Sequence, residues 1–296
     1  MVHRINIFLV LLSLCIIQFT YGQEMLTVPR IALGKVTAPE LNELSGLISS
    51  RTHPNCYWVH NDSGDKARIF LIDQKGKLLK ILNLSGIVAV DMEDIAWMNI
   101  HGKSFLVLAD IGDNRGLRKN IKLYMLEEPQ FDLLDGLEQD LNKDKMVVKT
   151  LRFDDKAKDA EALFIDPLTH GCYVISKREF QSTLYFSDIF NLDKDTDTLT
   201  PMAKFPFTFV TAADIASDGS QILVKNLENI YYWKRGYNET IVQAMIKPFV
   251  RLSYQSEPQG EAIGFDVEGK HFFTISERPF GLESYLYQYN LNHKSN

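Results

Sequence analysis

The sequence has little of what would place it in a specialised class of protein. Its 296 residues include only three cysteines and 10 prolines, and 32 Lys and Arg are outnumbered by 38 Asp and Glu. So few cysteines exclude a small disulfide-stapled scaffold, and 45% hydrophobic residues argue against a disordered chain. A formal net charge of −6 without a run of Lys or Arg argues against a nucleic-acid partner.

Common catalytic motifs are also missing. The chain has no G-x-S-x-G, no H-E-x-x-H, no phosphate-binding P-loop and no dinucleotide-binding fingerprint. These absences argue against the serine hydrolases, zinc proteases, nucleotide hydrolases and dehydrogenases that those motifs identify. Any chemistry must come from residues that the fold brings together from separate segments.

The chain has one long apolar run, and it lies at the start. Ile5 to Phe19 follows a short basic segment, and Thr20 and Gly22 stand at positions −3 and −1 of a cleavage site before Gln23. This pattern predicts a secretory signal peptide over 1–22, too short to span a membrane. We expect 23–296 to be a single domain without a membrane span, secreted or periplasmic, and monomeric.

Five similar segments recur along the remainder of the chain. Each ends on an aliphatic residue, and those residues are spaced by 48, 68, 52 and 48 positions: Glu43–Leu47, Asp91–Ile95, Asp159–Leu163, Thr211–Ile215 and Gln259–Ile263. Each segment is followed by short apolar stretches separated by turn residues, which is typical of an all-β protein. Four strands in roughly 45 residues is the arithmetic of a propeller blade.

The repeat therefore predicts an all-β protein, a β-propeller of five blades with four antiparallel strands each. The fifth repeat has room for only three strands, and the strand-like segment 26–33 can supply the fourth and close the ring. Six blades is the alternative, because the 68-residue step could contain a degenerate blade. We expect its excess, near 130–149, to be a long loop or a short helix.

The two cysteines of the mature chain are predicted to be free. Cys56 and Cys172 begin the second strand of blades one and three, which are not neighbours. Their Cα atoms should therefore lie beyond the ~7 Å limit for a disulfide.

Acidic side chains gather where the innermost strands begin. Alternation along a strand should point Asp91 and Glu93 the same way, and likewise Asp159 and Glu161. Carboxylates that converge on a narrow channel must protonate, pair with a base or bind a cation. Numerous hard oxygen ligands suit Ca²⁺. The predicted metal ligands are Asp62, Asp91, Glu93, Asp110, Asp159 and Glu161.

The ends of the second strands lie at the same face and carry a different set of polar groups. His60 and Asp62 can share a face as a general base and the residue that orients it, and Glu161 and Glu261 are the other candidate catalytic residues. Bases and amides at matching places predict contacts to an anionic substrate. The predicted substrate-binding residues are Asn61, Asn114, Lys177, Arg178, Lys225 and Arg278.

One apparent calcium loop is better explained as a turn. The spacing of Asp193, Asp195 and Asp197 resembles the start of such a loop, but Thr198 stands where glycine is needed and Lys204 where glutamate is needed. We expect a solvated hairpin turn there.

Six motifs together resemble a family of exported β-propeller proteins that usually carry no assigned function. They are HNDSGD (60–65), DMEDIA (91–96), DIGDNR (110–115), DAEA (159–162), TAAD (211–214) and GEAI (260–263). The resemblance covers nearly all of the mature chain and implies export and a propeller fold, but no reaction. More distantly, the architecture is similar to phytase-like and gluconolactonase-like calcium-dependent hydrolases and to five-bladed glycosidases.

Three functions fit these features. The first is a secreted Ca²⁺-dependent propeller hydrolase of an anionic small molecule, a phosphoester or a lactone. The second is a non-catalytic propeller that binds a ligand or an extracellular partner at the same face. The third is a carboxylate-pair glycosidase that uses Asp91, Asp159 and Glu261, although no glycosidase motif matches residue by residue.

Overall fold

The computed structural model describes residues 25–62, 64–190 and 196–291, and their regular structure is almost entirely β-strand. The strands up to the end of the second repeat are β1 (Met25–Leu26), β2 (Arg30–Lys35), β3 (Leu44–Ser49), β4 (Cys56–Asn61), β5 (Arg68–Asp73), β6 (Leu78–Ser85), β7 (Met92–Ile100), β8 (Lys103–Asp110), β9 (Ile121–Glu127), β10 (Glu138–Asn142) and β11 (Met146–Phe153).

The later strands are β12 (Ala160–Ile165), β13 (Cys172–Ser176), β14 (Thr183–Ser187), β15 (Thr196–Lys204), β16 (Val210–Ile215), β17 (Gln221–Asn226), β18 (Ile230–Lys234), β19 (Val250–Leu252), β20 (Ala262–Phe265), β21 (His271–Ile275) and β22 (Tyr285–Asn290). One short helix, α1 (Ile241–Met245), begins at a capping box formed by Thr240 and Gln243. No helix in the described part of the chain is long and apolar enough to cross a membrane.

The strands form four hydrogen-bonded sheets, and antiparallel pairing of consecutive strands dominates each of them. Their orders are β10-β6-β5-β4-β3, β12-β13-β14-β15-β11-β9-β8-β7, β1-β19-β18-β17-β16 and β2-β22-β21-β20. In the eight-stranded sheet, parallel pairing of β11 with β15 joins two antiparallel groups. Its two edge strands, β7 and β12, contact each other, so this sheet is nearly closed and barrel-like.

The first strand of every repeat lies at the inside of the molecule. These strands contact one another in a closed circular order, β3 to β7, β12, β16, β20 and back to β3. Five clusters of buried apolar side chains fill the spaces between successive groups of strands, and each cluster takes residues from two neighbouring repeats. The apolar pattern of the repeat therefore builds one core between each pair of neighbouring groups.

The N-terminal strand completes the last sheet, as the sequence predicted. Strand β2 pairs antiparallel with β22, so that Arg30 lies opposite Tyr289 and Lys35 opposite Tyr285. The preceding strand, β1, pairs in parallel with β19 of the fourth repeat. The chain ends thus tie the fifth repeat to the fourth and provide its outermost strand.

The prediction for 130–149 was wrong in part. The segment holds a strand, β10, which runs parallel to β6 and extends the sheet of the first repeat, and a 3-10 turn over Lys143–Lys145. The buried Lys80 secures the approach to β10, because its Nζ donates to the carbonyls of Asp135 and Gly136 at 2.7 Å each. The extra residues of the second repeat therefore add a strand to the sheet of the first repeat.

The remaining structural predictions have mixed outcomes. Cys56 and Cys172 are free and buried, as predicted. Asp193 and Asp195 lie outside the described residues, as does the predicted signal peptide. Asp197 lies in β15 and pairs with Lys149.

Candidate functional site

β-bulges shape one end of the circle of inner strands. The pairing register shifts at Ser45, Glu93 and Glu161, which occupy the same place in the first three repeats. A bulge leaves one residue without an opposite partner and redirects its side chain. The fourth repeat has the same shift at Thr211, and two of these four bulged residues are glutamates. The repeat itself therefore delivers carboxylates to this end of the molecule.

A recurring backbone hydrogen bond places a second set of residues beside the first. In four repeats, an N–H just after the second strand donates to a carbonyl just before the inner strand, at 2.8–3.2 Å. The donors are Asp62, Gly112, Lys177 and Glu277, and the acceptors are Glu43, Asp91, Asp159 and Gln259. These four donors are therefore structurally equivalent, although their side chains differ in charge.

Carboxylates from these two sets and from residues beside them form an acidic cluster that we call the acidic arc. It comprises three groups in which the carboxylate oxygens lie within 4.8 Å of one another: Asp62, Asp91 and Glu93; Asp62, Glu261 and Glu277; and Glu93, Asp159 and Glu161. Asp62 and Glu93 each belong to two groups, so the groups are continuous. Most of these carboxylates are buried, and the groups could hold a metal ion.

The environment of the arc disfavours its full ionisation. Burial, followed by the charges of Glu161, Asp62 and Asp91, raises the pKa of Glu93 well above its ordinary value. Burial also raises the pKa of Glu161 to about 9 and that of Glu277 to about 8. Carboxylates in such an environment bind a proton when no cation is present, and a bound cation favours their ionised form.

Two bases already lie against the arc. The Lys177 ammonium contacts the Glu161 carboxylate and lies 3.7 Å from Glu261 Oε1. Arg178 donates through Nε to Asp159 Oδ2 at 2.5 Å and through Nη2 to the side-chain oxygen of Asn114. The structure thus brings three predicted substrate-binding residues to the site, and their described contacts are with the arc or with each other.

Two predicted site residues are engaged elsewhere. Asp110 is fully buried, forms an ion pair with Arg118 at 2.7 Å and accepts the Asp91 N–H at 3.1 Å. It lies outside the three groups of the arc. The Asn61 side chain donates to the Glu40 carbonyl and to Asp65 Oδ2, both at 2.7 Å. These contacts hold the loops around the site.

The predicted general base, His60, is fully buried. Its ring packs against Gly46, where a Cβ atom would overlap Nε2, and its Nδ1 lies 2.9 Å from the Asn61 carbonyl oxygen. Burial lowers the pKa of His60 to about 4, so the imidazole is neutral at neutral pH. This environment suits a packed structural residue better than a base that exchanges protons with a substrate.

The other two predicted substrate contacts also have internal partners. Lys225 is fully buried, donates to the Gly260 carbonyl and lies 4.9 Å from the centre of the Tyr254 ring. Burial lowers its pKa to about 8. Arg278 donates through Nη1 to the Ala38 carbonyl at 3.2 Å.

Gly112 and Glu277 are site residues that the sequence reasoning did not select. A Cβ atom at Gly112 would overlap Glu93 Oε1 and lie 2.5 Å from Asp91 Oδ2, so only glycine leaves room for both carboxylates. Both residues lie two positions after the end of a second strand, close to the place that Asp62 and Lys177 occupy in their repeats. This shared place in the repeat was the signal available.

Two other inner-strand acids have a structural role. Asp94 accepts the backbone N–H of Leu163 at 2.8 Å, and Asp214 accepts that of Phe265 at 2.7 Å. Each carboxylate therefore joins its own inner strand to the inner strand of another repeat. Acids at the start of these strands thus divide into those that fasten strands together and those that form the arc.

Comparisons with known proteins add no family to this description. A scan against protein-family models finds no match, and a search of curated proteins finds no significant similarity.

Proposed function

We propose that this chain is an exported five-bladed β-propeller that binds Ca²⁺ in the acidic arc and hydrolyses a small anionic ester there. Three features support the propeller. The inner strands of the five repeats contact one another in a closed circle, five apolar cores separate neighbouring groups, and β2 completes the fifth sheet. The eight-stranded sheet then consists of two blades joined through β11 and β15.

The continuity of the arc carries the proposal of a cation site. Asp62 and Glu93 each lie within 4.8 Å of two sets of carboxylates, and each of the three groups combines oxygens from two repeats. Oxygen-only ligands in this number favour Ca²⁺, which takes 6–8 of them, over Zn²⁺. Burial is the largest cause of the raised pKa of Glu93, and the like charges of Glu161, Asp62 and Asp91 add to it. Those like charges also favour a bound cation.

The residues of the arc would divide the work of hydrolysis. A bound divalent cation lowers the pKa of a coordinated water and polarises an ester oxygen. Glu161 or Glu277, once ionised beside the bound cation, would accept the proton of the attacking water and return it to the leaving alcohol. Water is added across the ester bond, so no further reactant is needed.

Thermal unfolding tests the cation site first. The full mature chain is melted in EDTA and then in graded Ca²⁺, and the melting temperature should rise with Ca²⁺ concentration. Glu93→Gln should abolish most of this rise. Glu127→Gln, which removes an exposed carboxylate paired with Lys103, is the matched control and should respond like the wild type.

Hydrolysis of phosphoesters and lactones is then measured under the same conditions. Ca²⁺-dependent turnover that is lost in Glu93→Gln supports the proposal. The proposal is contradicted if Ca²⁺ does not change the melting temperature of the wild-type chain. It is also contradicted if the wild-type chain hydrolyses the ester equally well in EDTA.

A non-catalytic binding propeller is the second candidate, and the burial of His60 favours it. The best sequence candidate for a general base is fully buried, and Lys177 contacts an arc carboxylate. On this alternative the ion would only stiffen the ring. Ca²⁺-dependent stabilisation with no turnover of any ester tested would favour it over the hydrolase.

A further inference from the structure

A small cleft lies directly beside the acidic arc. It has a volume of about 230 Å³ and lies between the loop after β8, the segment before β12 and the residues that follow β13. These three segments meet at the same face as the arc. Asp159 lines the cleft and also belongs to the arc, so the two features share a wall.

Basic side chains outnumber acidic ones in the lining of this cleft. The bases are Arg115, Lys156, Lys158 and Arg178, and the acids are Asp113, Asp159 and Glu179. This balance contrasts with the arc next to it and with the negative charge of the whole chain. An anion that approaches this face is therefore attracted to the cleft and repelled by the arc when the arc holds no cation.

The three acids of the cleft are already bound within the protein. Asp159 accepts the Asp113 N–H at 2.9 Å and Arg178 Nε at 2.5 Å. Asp113 accepts the Arg118 N–H at 2.6 Å. Glu179 accepts Lys158 Nζ at 2.6 Å. These bonds satisfy the carboxylates and hold the walls of the cleft in place.

Arg115 and Lys156 are both exposed, and they differ from Lys158 and Arg178 in having no ion pair among the described residues. Arg115 lies on the loop after β8, and Lys156 lies on the segment before β12, so two separate segments bring them to the cleft. Their cationic groups can therefore reach a ligand from two sides of the cleft. A guanidinium provides two parallel donors to adjacent oxygens, and an ammonium adds a point charge.

We propose that this cleft binds the phosphoryl group of a phosphate monoester, with Arg115 and Lys156 as its principal ligands. A dianion with several acceptor oxygens matches two separate bases, whereas a lactone has no anionic group for them to hold. The choice of a phosphoester as substrate rests on the proposed function. Phosphate binding by the cleft itself does not require the metal.

Calorimetric titration with inorganic phosphate in EDTA at low salt tests the cleft without the cation. The wild-type chain should bind phosphate, and the double variant Arg115→Gln with Lys156→Gln should bind at least about tenfold more weakly, because both charge-assisted contacts are lost. The matched control is Lys66→Gln with Lys119→Gln, which removes two exposed bases outside the cleft. Acetate should bind more weakly than phosphate.

Two results would overturn this inference: no phosphate binding by the wild type, or equal loss in the control. Melting curves confirm that both double variants fold, which is expected because all four side chains are exposed. Failure of the cleft and failure of the proposed function remain distinguishable. Phosphate binding that depends on Arg115 and Lys156 without any Ca²⁺ response retains the cleft and rejects the hydrolase, and the converse result rejects the cleft alone.

Discussion

Glu93 and Glu161 each form the extra residue of a β-bulge at the same place in successive repeats, and their carboxylates belong to one group of the acidic arc. The bulge gives this end of the ring its chemistry, because it redirects the side chains without changing the strands below them. Lys177, from the third repeat, contacts one of the two glutamates. The stability of the arc and its affinity for a cation should therefore respond to the same substitutions.

Lys177→Met should lower the melting temperature in EDTA. The side chains of Lys177 and Glu161 are 11% and 4% exposed, so the variant leaves a buried carboxylate without its neighbouring ammonium. Breaking a fully buried pair costs about 3–5 kcal/mol, and the loss here should be smaller because Glu161 can bind a proton. The variant should also bind Ca²⁺ more tightly, since a competing cation is gone.

Thermal and calorimetric titrations with Ca²⁺ measure both effects. Lys149→Met is the control, because Lys149 is a buried lysine paired with Asp197 away from the arc. It should lose stability with no gain in Ca²⁺ affinity. Unchanged affinity in Lys177→Met would show that the ammonium does not compete with the ion.

Gly112→Ala should damage the arc directly. The added Cβ overlaps Glu93 Oε1 and must displace the glutamate side chain. We expect a loss of roughly 1–3 kcal/mol, typical of overpacking, and a smaller melting-temperature rise in Ca²⁺. Gly136→Ala is the control, since a Cβ at Gly136 meets no atom within 4 Å. A normal Ca²⁺ response in Gly112→Ala would show that the arc does not hold the ion.

Stability of the metal-free chain should fall as the pH rises from 6.5 to 8. Glu277, with an ordinary pKa of 4.5 raised to about 8, and Glu161, raised to about 9, keep protons in the folded chain that the unfolded chain releases. The lowered pKa of His60 makes stability rise with pH, but only between its folded pKa of about 4 and its ordinary value of 6.5. The lowered pKa of Lys225 also makes stability rise with pH, but only above its folded pKa of about 8.

Melting temperatures in EDTA at pH 6.5 and 8 test this expectation. Ca²⁺ should flatten the dependence by stabilising the ionised carboxylates. Glu277→Gln should reduce the slope, because the amide has no proton to lose. A melting temperature that rises across this interval in EDTA would contradict the assignment of the raised pKa values.

Gly34→Ala should destabilise the pairing of β2 with β22, which completes the sheet of the fifth repeat. Gly34 follows a bulge in β2, and a Cβ there would overlap the backbone carbonyl of Lys75 in the turn between β5 and β6. Backbone cannot move aside as a side chain can, so the expected loss is at least about 1–3 kcal/mol. Denaturant unfolding measures it, again with Gly136→Ala as reference. Equal stability of the two variants would mean that β2 does not need this close approach.

The sequence predicted the strands well because they depend on a local, repeated pattern. The spacing of the aliphatic residues located the inner strands, and the short fifth repeat indicated that β2 would pair with β22. Strand β10 was not predicted, because Glu138–Asn142 carries no alternation of apolar residues and is a strand only through its pairing with β6. A pairing of that kind depends on a distant segment and leaves no periodic signal.

The acids of the site were predicted better than the bases and the histidine. Asp91, Glu93, Asp159 and Glu161 lie together as expected, although a bulge and not simple alternation places the glutamates. Lys225 was predicted to meet a substrate, but it is buried against the Gly260 carbonyl. The position of a residue at a strand end predicts the face of the molecule on which it lies. The residues that its side chain contacts come from neighbouring repeats, and the sequence pattern of one repeat does not specify them.

The pairing of β2 with β22 also determines when the molecule can be finished. Arg30 and its partner Tyr289 are 259 positions apart, so this strand pair is among the last of the described pairs that a growing chain can form. Until β22 has been made, β2 has no partner in the sheet of the fifth repeat, and its edge stays unpaired. Pairing of β22 with β2 should therefore be a late step in folding. A delay in this step leaves the fifth repeat without its outermost strand.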